Sequence, residues 1–227
     1  MNPRLRTLLL LLLIALARPV GAQTVVLDEG TFRILRGGVS VGTETFTIRR
    51  TGQGVDAQVL ANAEIALDLP EGAQSVRPLL QTTGELALMA YQLEVAGQTP
   101  LNMTVVPSGR RLLVSTRSPN GDQEQEFRAT PGGVLLEEGV AHQYWFLSQL
   151  TEGTAVNVLV PRAGAQDRIE VRSAQPETVV VAGAQLPARH VTFVINGQVH
   201  EVWYDAEDRV LKVSVPDTGF GAERTTR

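Results

Sequence analysis

Residues 190–215 read HVTFVINGQVHEVWYDAEDRVLKVSV, and this stretch decides the fold class. Two turn sequences, Asn196-Gly197 and Asp205 to Asp208, separate three segments that are rich in β-branched and aromatic residues. An Asn-Gly pair between such segments is the strongest short-range signal for a β-hairpin. We therefore expect three antiparallel strands here, with four of their side chains in the core: Phe193, Trp203, Leu211 and Val213.

The same pattern of strands and short turns continues through most of the chain. Polar and apolar residues alternate in Thr31 to Ile34 and again in Glu44 to Arg49, as half-buried strands require. Turn signals recur about every 8–15 residues, which is typical of an antiparallel meander, a sandwich or a barrel. The clearest are Gly37-Gly38, Gly52-Gln53-Gly54, Pro70-Glu71-Gly72, Pro119-Asn120-Gly121 and Pro131-Gly132-Gly133.

The fold class that follows is all-β with one short helix. We expect a strongly curved antiparallel meander sheet or open barrel, with the helix packed against or across it. A chain of 227 residues without a long linker or an internal repeat fits one such domain. We expect that domain to comprise residues 23–227.

The first 22 residues resemble a secretory signal peptide. Arg4 and Arg6 precede the apolar run Leu8 to Ala17, and Val20-Gly21-Ala22 supplies small residues for a cleavage site. A membrane anchor is the alternative, but this run spans roughly 15–20 Å as a helix, against about 30 Å of hydrocarbon. The sequence therefore predicts cleavage before Gln23 and a periplasmic or secreted protein without a membrane span after cleavage.

Composition narrows the possible functions. The chain has no cysteine, which excludes disulfides, thiolate metal sites and a cysteine nucleophile. The 20 basic residues include a single lysine, Lys212, and are scattered, so nucleic acid is not an expected partner. Removing residues 1–22 makes the net charge of −4 more negative by three, because three arginines and no acid are lost.

A helix is expected near Val140 to Leu150, which reads VAHQYWFLSQL. At 100° per residue, Val140, Tyr144 and Leu147 share one face, while Trp145 and Phe146 lie on the other. A helix that is apolar on both sides is either packed against one sheet, or it forms a plug or lid over the open end of a curved sheet. Both arrangements fit the sequence.

The second half resembles a group of uncharacterised exported bacterial β-proteins, a domain family of unknown function. The resemblance rests on the order of VLLEEGVAHQYWFLSQL, ETVVVAGAQLPARHVTF and HEVWYDAEDRVLKVSVP, and on the opening GTFRILRGGVSVGTETFTIRR. It implies a curved antiparallel sheet around a helix, akin to lipoprotein-carrier and lipocalin-like folds. It implies no catalytic residue.

Ser40 lies in a G-x-S-x-G sequence, Gly38-Val39-Ser40-Val41-Gly42, the pattern of a hydrolase nucleophile elbow. That motif works where a sharp strand-to-helix turn exposes the serine. Here the next residues alternate as a strand. We therefore interpret the motif as a Gly-Gly hairpin turn followed by a strand, and we expect no catalytic role for Ser40.

The three histidines, His142, His190 and His200, do not form a predicted metal site. With a two-residue turn at Asn196-Gly197, His190 pairs with Trp203 and His200 with Phe193, on opposite faces of the sheet. With a three-residue loop, the two histidines share a face but lie about 13 Å apart at ~3.3 Å per residue. Each imidazole is therefore expected to stack on an aromatic neighbour, although His142 could still approach one of the others.

Two acidic clusters are weak candidates for calcium. Asp205-Ala206-Glu207-Asp208 lacks the glycine and spacing of a known calcium loop. Asp122, Glu124 and Glu126 share one face of a strand, which is simply an exposed face. We expect no metal and no cofactor.

These observations favour a non-catalytic envelope protein that holds a lipid-like or other apolar ligand inside a curved sheet. An envelope protein that binds another protein and no small ligand is the alternative, and a hydrolase with an unrecognised site is a third. Four aromatic side chains are the candidate ligand contacts: Tyr144, Trp145, Phe146 and Trp203.

Overall fold

The computed structural model describes residues 24–225, so the expected signal peptide (residues 1–22) and mature start (Gln23) lie outside the described residues. Fifteen strands follow one another within this range. They are β1 (Val25–Arg36), β2 (Val39–Thr51), β3 (Gln58–Leu69), β4 (Gly72–Thr83), β5 (Leu88–Ala96), β6 (Leu101–Ser108), β7 (Arg111–Ser118), β8 (Gly121–Arg128), β9 (Val134–Leu135), β10 (Ala155–Val160), β11 (Ala165–Val181), β12 (Ala184–Ile195), β13 (Gln198–Tyr204), β14 (Val210–Val215) and β15 (Phe220–Arg224).

All fifteen strands belong to one sheet, in the order β8-β7-β6-β5-β4-β3-β2-β1-β15-β14-β13-β12-β11-β10-β9. Neighbours pair antiparallel, except that the two-residue β9 runs parallel to β10. The first and last strands lie side by side, with Phe32 opposite Arg224. The sheet is therefore two meanders joined at β1 and β15, which confirms the all-β expectation.

The sheet curls around one core but does not close into a continuous hydrogen-bond ladder. Its two edge strands, β8 and β9, follow each other in the chain. Near this gap the Gln166 side chain donates from Nε2 to the Arg128 carbonyl (2.7 Å) and accepts at Oε1 from the Arg128 N–H (3.3 Å). One side-chain amide thus substitutes for a strand-to-strand bridge, and the architecture is an open barrel.

The core lies inside the curve, where alternate residues of the strands point inward. Phe32 and Ile48, from one half of the sheet, and Phe193 and Val213, from the other, all belong to this core and are fully buried. A smaller apolar cluster lies apart from the main core. It contains Val179, Val181, Ala188 and Leu211, with Leu186 and Trp203 packed against it.

The hairpin at Asn196-Gly197 has the predicted two-residue turn. Both residues have positive φ, 50° and 76°, as a type I′ turn requires. Ile195 pairs with Gln198, which places His190 opposite Trp203 and His200 opposite Phe193. The two-residue register is therefore confirmed.

The predicted helix is a shorter 3₁₀ helix over His142–Leu147, and not an α-helix over Val140 to Leu150. It belongs to a buried segment, residues 136–148, which we call the plug. Its bonds span three residues, as in Tyr144 N–H to Ala141 C=O (3.2 Å) and Ser148 N–H to Trp145 C=O (3.1 Å). An isolated helix of this length is marginal, and the plug is held by the strands around it instead.

The plug lies inside the barrel. Its side chains are buried apart from those of Glu138 and Trp145, and Gly139 is exposed. Among residues 24–225, the structure contains no helix with the length and apolar character needed to span a membrane.

Candidate functional site

A cavity lies at the end of the barrel where the turns at residues 37–38, 161–164, 196–197 and 216–219 come together. Its volume is about 290 Å³, close to the lower end of the roughly 300–1,000 Å³ usual for ligand pockets. The plug forms its inner boundary through Leu136, Val140 and Tyr144. Apolar side chains from the sheet form much of its wall: Ile34, Val41, Ile65, Leu67, Val76, Val160, Ile195, Val215 and Phe220.

One polar pair of the cavity joins the plug to the turn between β10 and β11. Glu137 is 1% exposed, and it accepts a hydrogen bond from Arg162 Nε at 2.9 Å. Arg162 also donates from Nη2 to the Glu138 carbonyl at 2.7 Å. Burial raises the pKa of Glu137 to about 7, and the opposing charge of Arg162 limits the rise. Arg162 is thus bonded to the plug at two points.

A second polar pair, Tyr144 and His200, lies where the plug meets β13. The Tyr144 hydroxyl is 2.6 Å from His200 Nδ1, and both side chains line the cavity. Burial lowers the pKa of His200 to about 4, against a weaker opposing effect of Asp217, and burial also raises the pKa of Tyr144. At neutral pH the imidazole is therefore neutral, and Nδ1 shares a hydrogen bond with the tyrosine hydroxyl.

A third pair, Glu44 and His142, holds the plug at a place outside the cavity lining. Glu44 of β2 is fully buried and accepts hydrogen bonds from the backbone N–H groups of Ala141 and His142, each at 2.8 Å. It also lies 2.7 Å from His142 Nδ1, and His142 stacks on Phe46 with 5.6 Å between ring centroids. The carboxylate satisfies N–H groups at the start of the 3₁₀ helix that the helix itself cannot bond.

Two further bonds hold the plug to the second half of the sheet. Tyr204 donates its hydroxyl to the Tyr144 carbonyl at 2.8 Å, and Arg189 donates to the Ser148 carbonyl at 2.7 Å. The plug is thus bonded to β2 on one side and to β12 and β13 on the other. Tyr144 is held in place at the boundary of the cavity.

Of the four aromatic side chains proposed as ligand contacts, Tyr144 lies in the cavity wall. Trp145 and Phe146 pack edge-to-face at 5.2 Å between centroids and do not line the cavity. Trp203 is on the outer face of the sheet, where it stacks on His190 at 4.4 Å and Lys212 lies 5.4 Å from its ring centroid. The plug and β13 therefore present Tyr144 and His200 to the cavity. The expected contacts Trp145, Phe146 and Trp203 lie away from it.

The polar residues in and around the cavity are not predicted from the sequence as site residues. The inward position of one of them, Glu44, nevertheless follows from the strand pattern. Glu44 has the same strand parity as Phe46 and Ile48, so a carboxylate on the inward face was readable from the pattern. The predicted hairpin register places His200 correctly opposite Phe193, but the sequence assigns no function to it. Glu137 and Arg162 lie in a loop and a turn, where no period marks the buried positions.

The structure explains the G-x-S-x-G motif without a nucleophile elbow. Ser40 is exposed on β2 and pairs with Leu35 of β1. Gly38 has a φ of 81° in the hairpin turn, and a Cβ on Gly42 would lie 2.0 Å from the Ala66 carbonyl oxygen. The turn and the close approach of β3 therefore account for both glycines.

The acidic clusters also have structural partners. Asp205 accepts hydrogen bonds from the backbone N–H groups of Glu207 and Arg209 and so holds its own turn. Asp122 and Glu126 pair with Arg117 and Arg111 on the exposed face of β7 and β8. Within residues 24–225, no group of three or more His, Asp or Glu side chains is arranged to hold a metal ion.

Comparison with solved structures gives a fold relationship. The chain is similar to a β-barrel-like protein of the domain of unknown function DUF1849 from Brucella abortus, with a TM-score of 0.52 and 7% identity over 86% of this chain and 93% of the other. The expected resemblance to β-proteins of a domain of unknown function is thereby confirmed at the level of the fold. No family model and no curated protein matches the sequence.

Proposed function

We propose that this chain is an exported, non-catalytic envelope protein that holds a small apolar or amphiphilic ligand in the cavity at the end of the barrel. The observation that carries the proposal is the cavity itself: a space with aliphatic and polar side chains in its walls, backed by a plug that the sheet holds by hydrogen bonds. Curved sheets of this kind commonly enclose one ligand.

The sequence supports the location. Arg4 and Arg6, the apolar run Leu8 to Ala17 and the small residues Val20 and Ala22 have the order of a cleaved signal peptide. A chain without cysteine also has no thiol to be oxidised outside the cytoplasm. Export places the cavity in a compartment where apolar molecules need a carrier between membranes.

The lining supports an amphiphile more than a pure hydrocarbon. Arg36, Gln74, Asn196 and Gln198 lie among the cavity residues near the turns, while aliphatic side chains form much of the rest of the wall. A ligand with a short chain and a polar group satisfies both regions. A pure hydrocarbon would contact only the apolar part of this lining.

The test is extraction of the mature protein, purified from the envelope fraction, followed by mass spectrometry of the extract. A Leu67→Trp variant narrows the cavity, and Ala66→Trp adds the same ring on the exposed face of the same strand. We expect a bound amphiphile in the wild type and in Ala66→Trp, with a large loss in Leu67→Trp. Equal amounts of bound amphiphile in both variants would show that the ligand binds outside this cavity.

A protein-interaction role is the second candidate, and the exposed strand β8 favours it. Seven of its eight residues are exposed, and it is one free edge of the sheet. An unpaired edge can add a strand from another protein. An extract without ligand, together with Leu67→Trp behaving as wild type, would favour this alternative.

A further inference from the structure

His200 offers the cavity one polar atom that the protein does not use. Its side chain is nine-tenths buried and lines the cavity. Nδ1 and the Tyr144 hydroxyl share a hydrogen bond, and with the hydroxyl as the donor the proton of the neutral ring is on Nε2. The hydrogen bonds within residues 24–225 give Nε2 no protein partner, and Nε2 is not among the atoms that are both buried and unpaired, so it is open to the cavity that the ring lines. Both nitrogens of His190, in contrast, are paired with carboxylates.

A donor that is open to a cavity and held in one direction is a natural place for a ligand acceptor. Tyr144 fixes the orientation of the ring, and Tyr144 is itself held by the bond from Tyr204 to its carbonyl. The donor is therefore set in position before any ligand enters. Such preorganisation favours a specific polar contact over general apolar binding.

The charges around the cavity decide what kind of acceptor fits. Arg162 is already bonded to Glu137 and Glu138, and Asp217 is the charged group that acts on His200. Glu138 and Asp167 add further negative charge to the lining, and Arg36 lies near Glu71 at 3.7 Å. A carboxylate at His200 would thus be desolvated near these acids, while the two arginines of the lining are already paired with Glu137 and Glu71.

We propose that His200 Nε2 donates a hydrogen bond to an uncharged oxygen of the ligand, so that the cavity selects neutral amphiphiles such as medium-chain alcohols or acyl esters over fatty carboxylates. This inference rests on the proposed function, because it assigns the ligand class of the same cavity. Tyr144 is a positioning residue that keeps the donor on Nε2.

The test compares 1-octanol, methyl octanoate and octanoate as competitors of an apolar fluorescent dye on the mature protein at pH 7. We expect the alcohol and the ester to displace the dye at concentrations about three- to tenfold lower than octanoate, as one net hydrogen bond allows. His200→Phe should remove this preference. His190→Phe, the same change on the outer face of the sheet, should retain it.

Nuclear magnetic resonance of the histidine side chains in the wild type keeps the test independent of variant folding. The Nε2–H tautomer of His200 should be present at pH 7, and its signal should shift when octanol is added, while the signals of His142 and His190 stay in place. Displacement without a His200 shift, or octanoate binding better and depending on Arg36, would overturn the ligand class and leave the cavity function standing. Failure of all three competitors to displace the dye would overturn both.

Discussion

Glu44 and His142 lie 98 positions apart in the chain and form a pair in which neither side chain is exposed, with 2.7 Å between Oε1 and Nδ1. The same carboxylate accepts two backbone N–H groups of the plug. A single inward-facing residue of β2 therefore fixes where the 3₁₀ helix of the plug begins, and with it the inner boundary of the cavity.

Replacing Glu44 should destabilise the whole domain. Glu44→Ala leaves three buried donors without an acceptor, and each such group typically costs about 1–3 kcal/mol. Glu44→Gln keeps one acceptor oxygen and should cost less. Urea unfolding measures both, with Glu64→Ala as the control because Glu64 is exposed on β3. A Glu44→Ala variant as stable as Glu64→Ala would show that the plug does not depend on this carboxylate.

The two aromatic residues Phe193 and Trp203 should differ in their contribution to stability. Phe193 is fully buried inside the barrel, so Phe193→Ala should cost about 3–5 kcal/mol. Trp203 is half-buried outside the sheet against His190 and Lys212, so Trp203→Ala should cost about 2 kcal/mol and leave dye binding unchanged. Thermal and urea unfolding measure the first effect, and dye titration the second. Loss of dye binding in Trp203→Ala would mean that a ligand contacts the outer face.

Sequence reasoning succeeds for this protein where structure is local. The Asn196-Gly197 turn needs positive φ at both positions, which these residue types tolerate, and so the pairing of His190 with Trp203 follows from the turn alone. The strand periods and the recurring turns predict the meander for the same reason. Each of these features depends on neighbours within a few residues.

Sequence reasoning fails where both faces of a strand are covered by other side chains. Trp203 was expected in the main core because a large aromatic residue usually marks the buried face. In the structure a second cluster, with Val179 and Val181 of the long β11–β12 hairpin, covers the outer face instead. Likewise the plug obeys no helical period, because its bonds run to Glu44 and to β13. Such contacts join positions far apart in the chain, so no local pattern encodes them.

His200 should make the domain less stable in mild acid. Burial lowers its pKa from 6.5 to about 4, so between these values the unfolded chain binds a proton that the folded chain does not. Its contribution to stability is therefore complete above pH 6.5 and is lost as the pH falls through 4. The free energy of unfolding of wild type minus that of His200→Phe, measured in urea from pH 4 to 7, should rise with pH. A difference that is constant over this range would contradict the assignment of a neutral buried imidazole.

Glu137 should change the pH dependence of stability in the direction opposite to that of His200. Burial raises its pKa from 4.5 to about 7, so here the folded chain holds the extra proton. Its contribution is complete below pH 4.5 and is lost as the pH rises through 7. The stability of wild type relative to Glu137→Gln should thus fall over the interval in which His200 makes it rise. Glu138→Gln, at the exposed neighbouring position, should show no such trend.

Gln166 of β11 should hold the edge strand β8 across the gap of the open sheet. Gln166→Ala removes both hydrogen bonds to the Arg128 backbone, which we expect to cost about 1–2 kcal/mol. Because β8 has a ladder on one side only, the loss should appear mainly as local opening, with faster hydrogen exchange in residues 121–128 than in β2 or β13. Gln185→Ala, an exposed glutamine of β12, is the matched control. If exchange in β8 is the same in both variants, the side-chain amide does not fasten the gap, and the barrel is held by the packing of its core and plug.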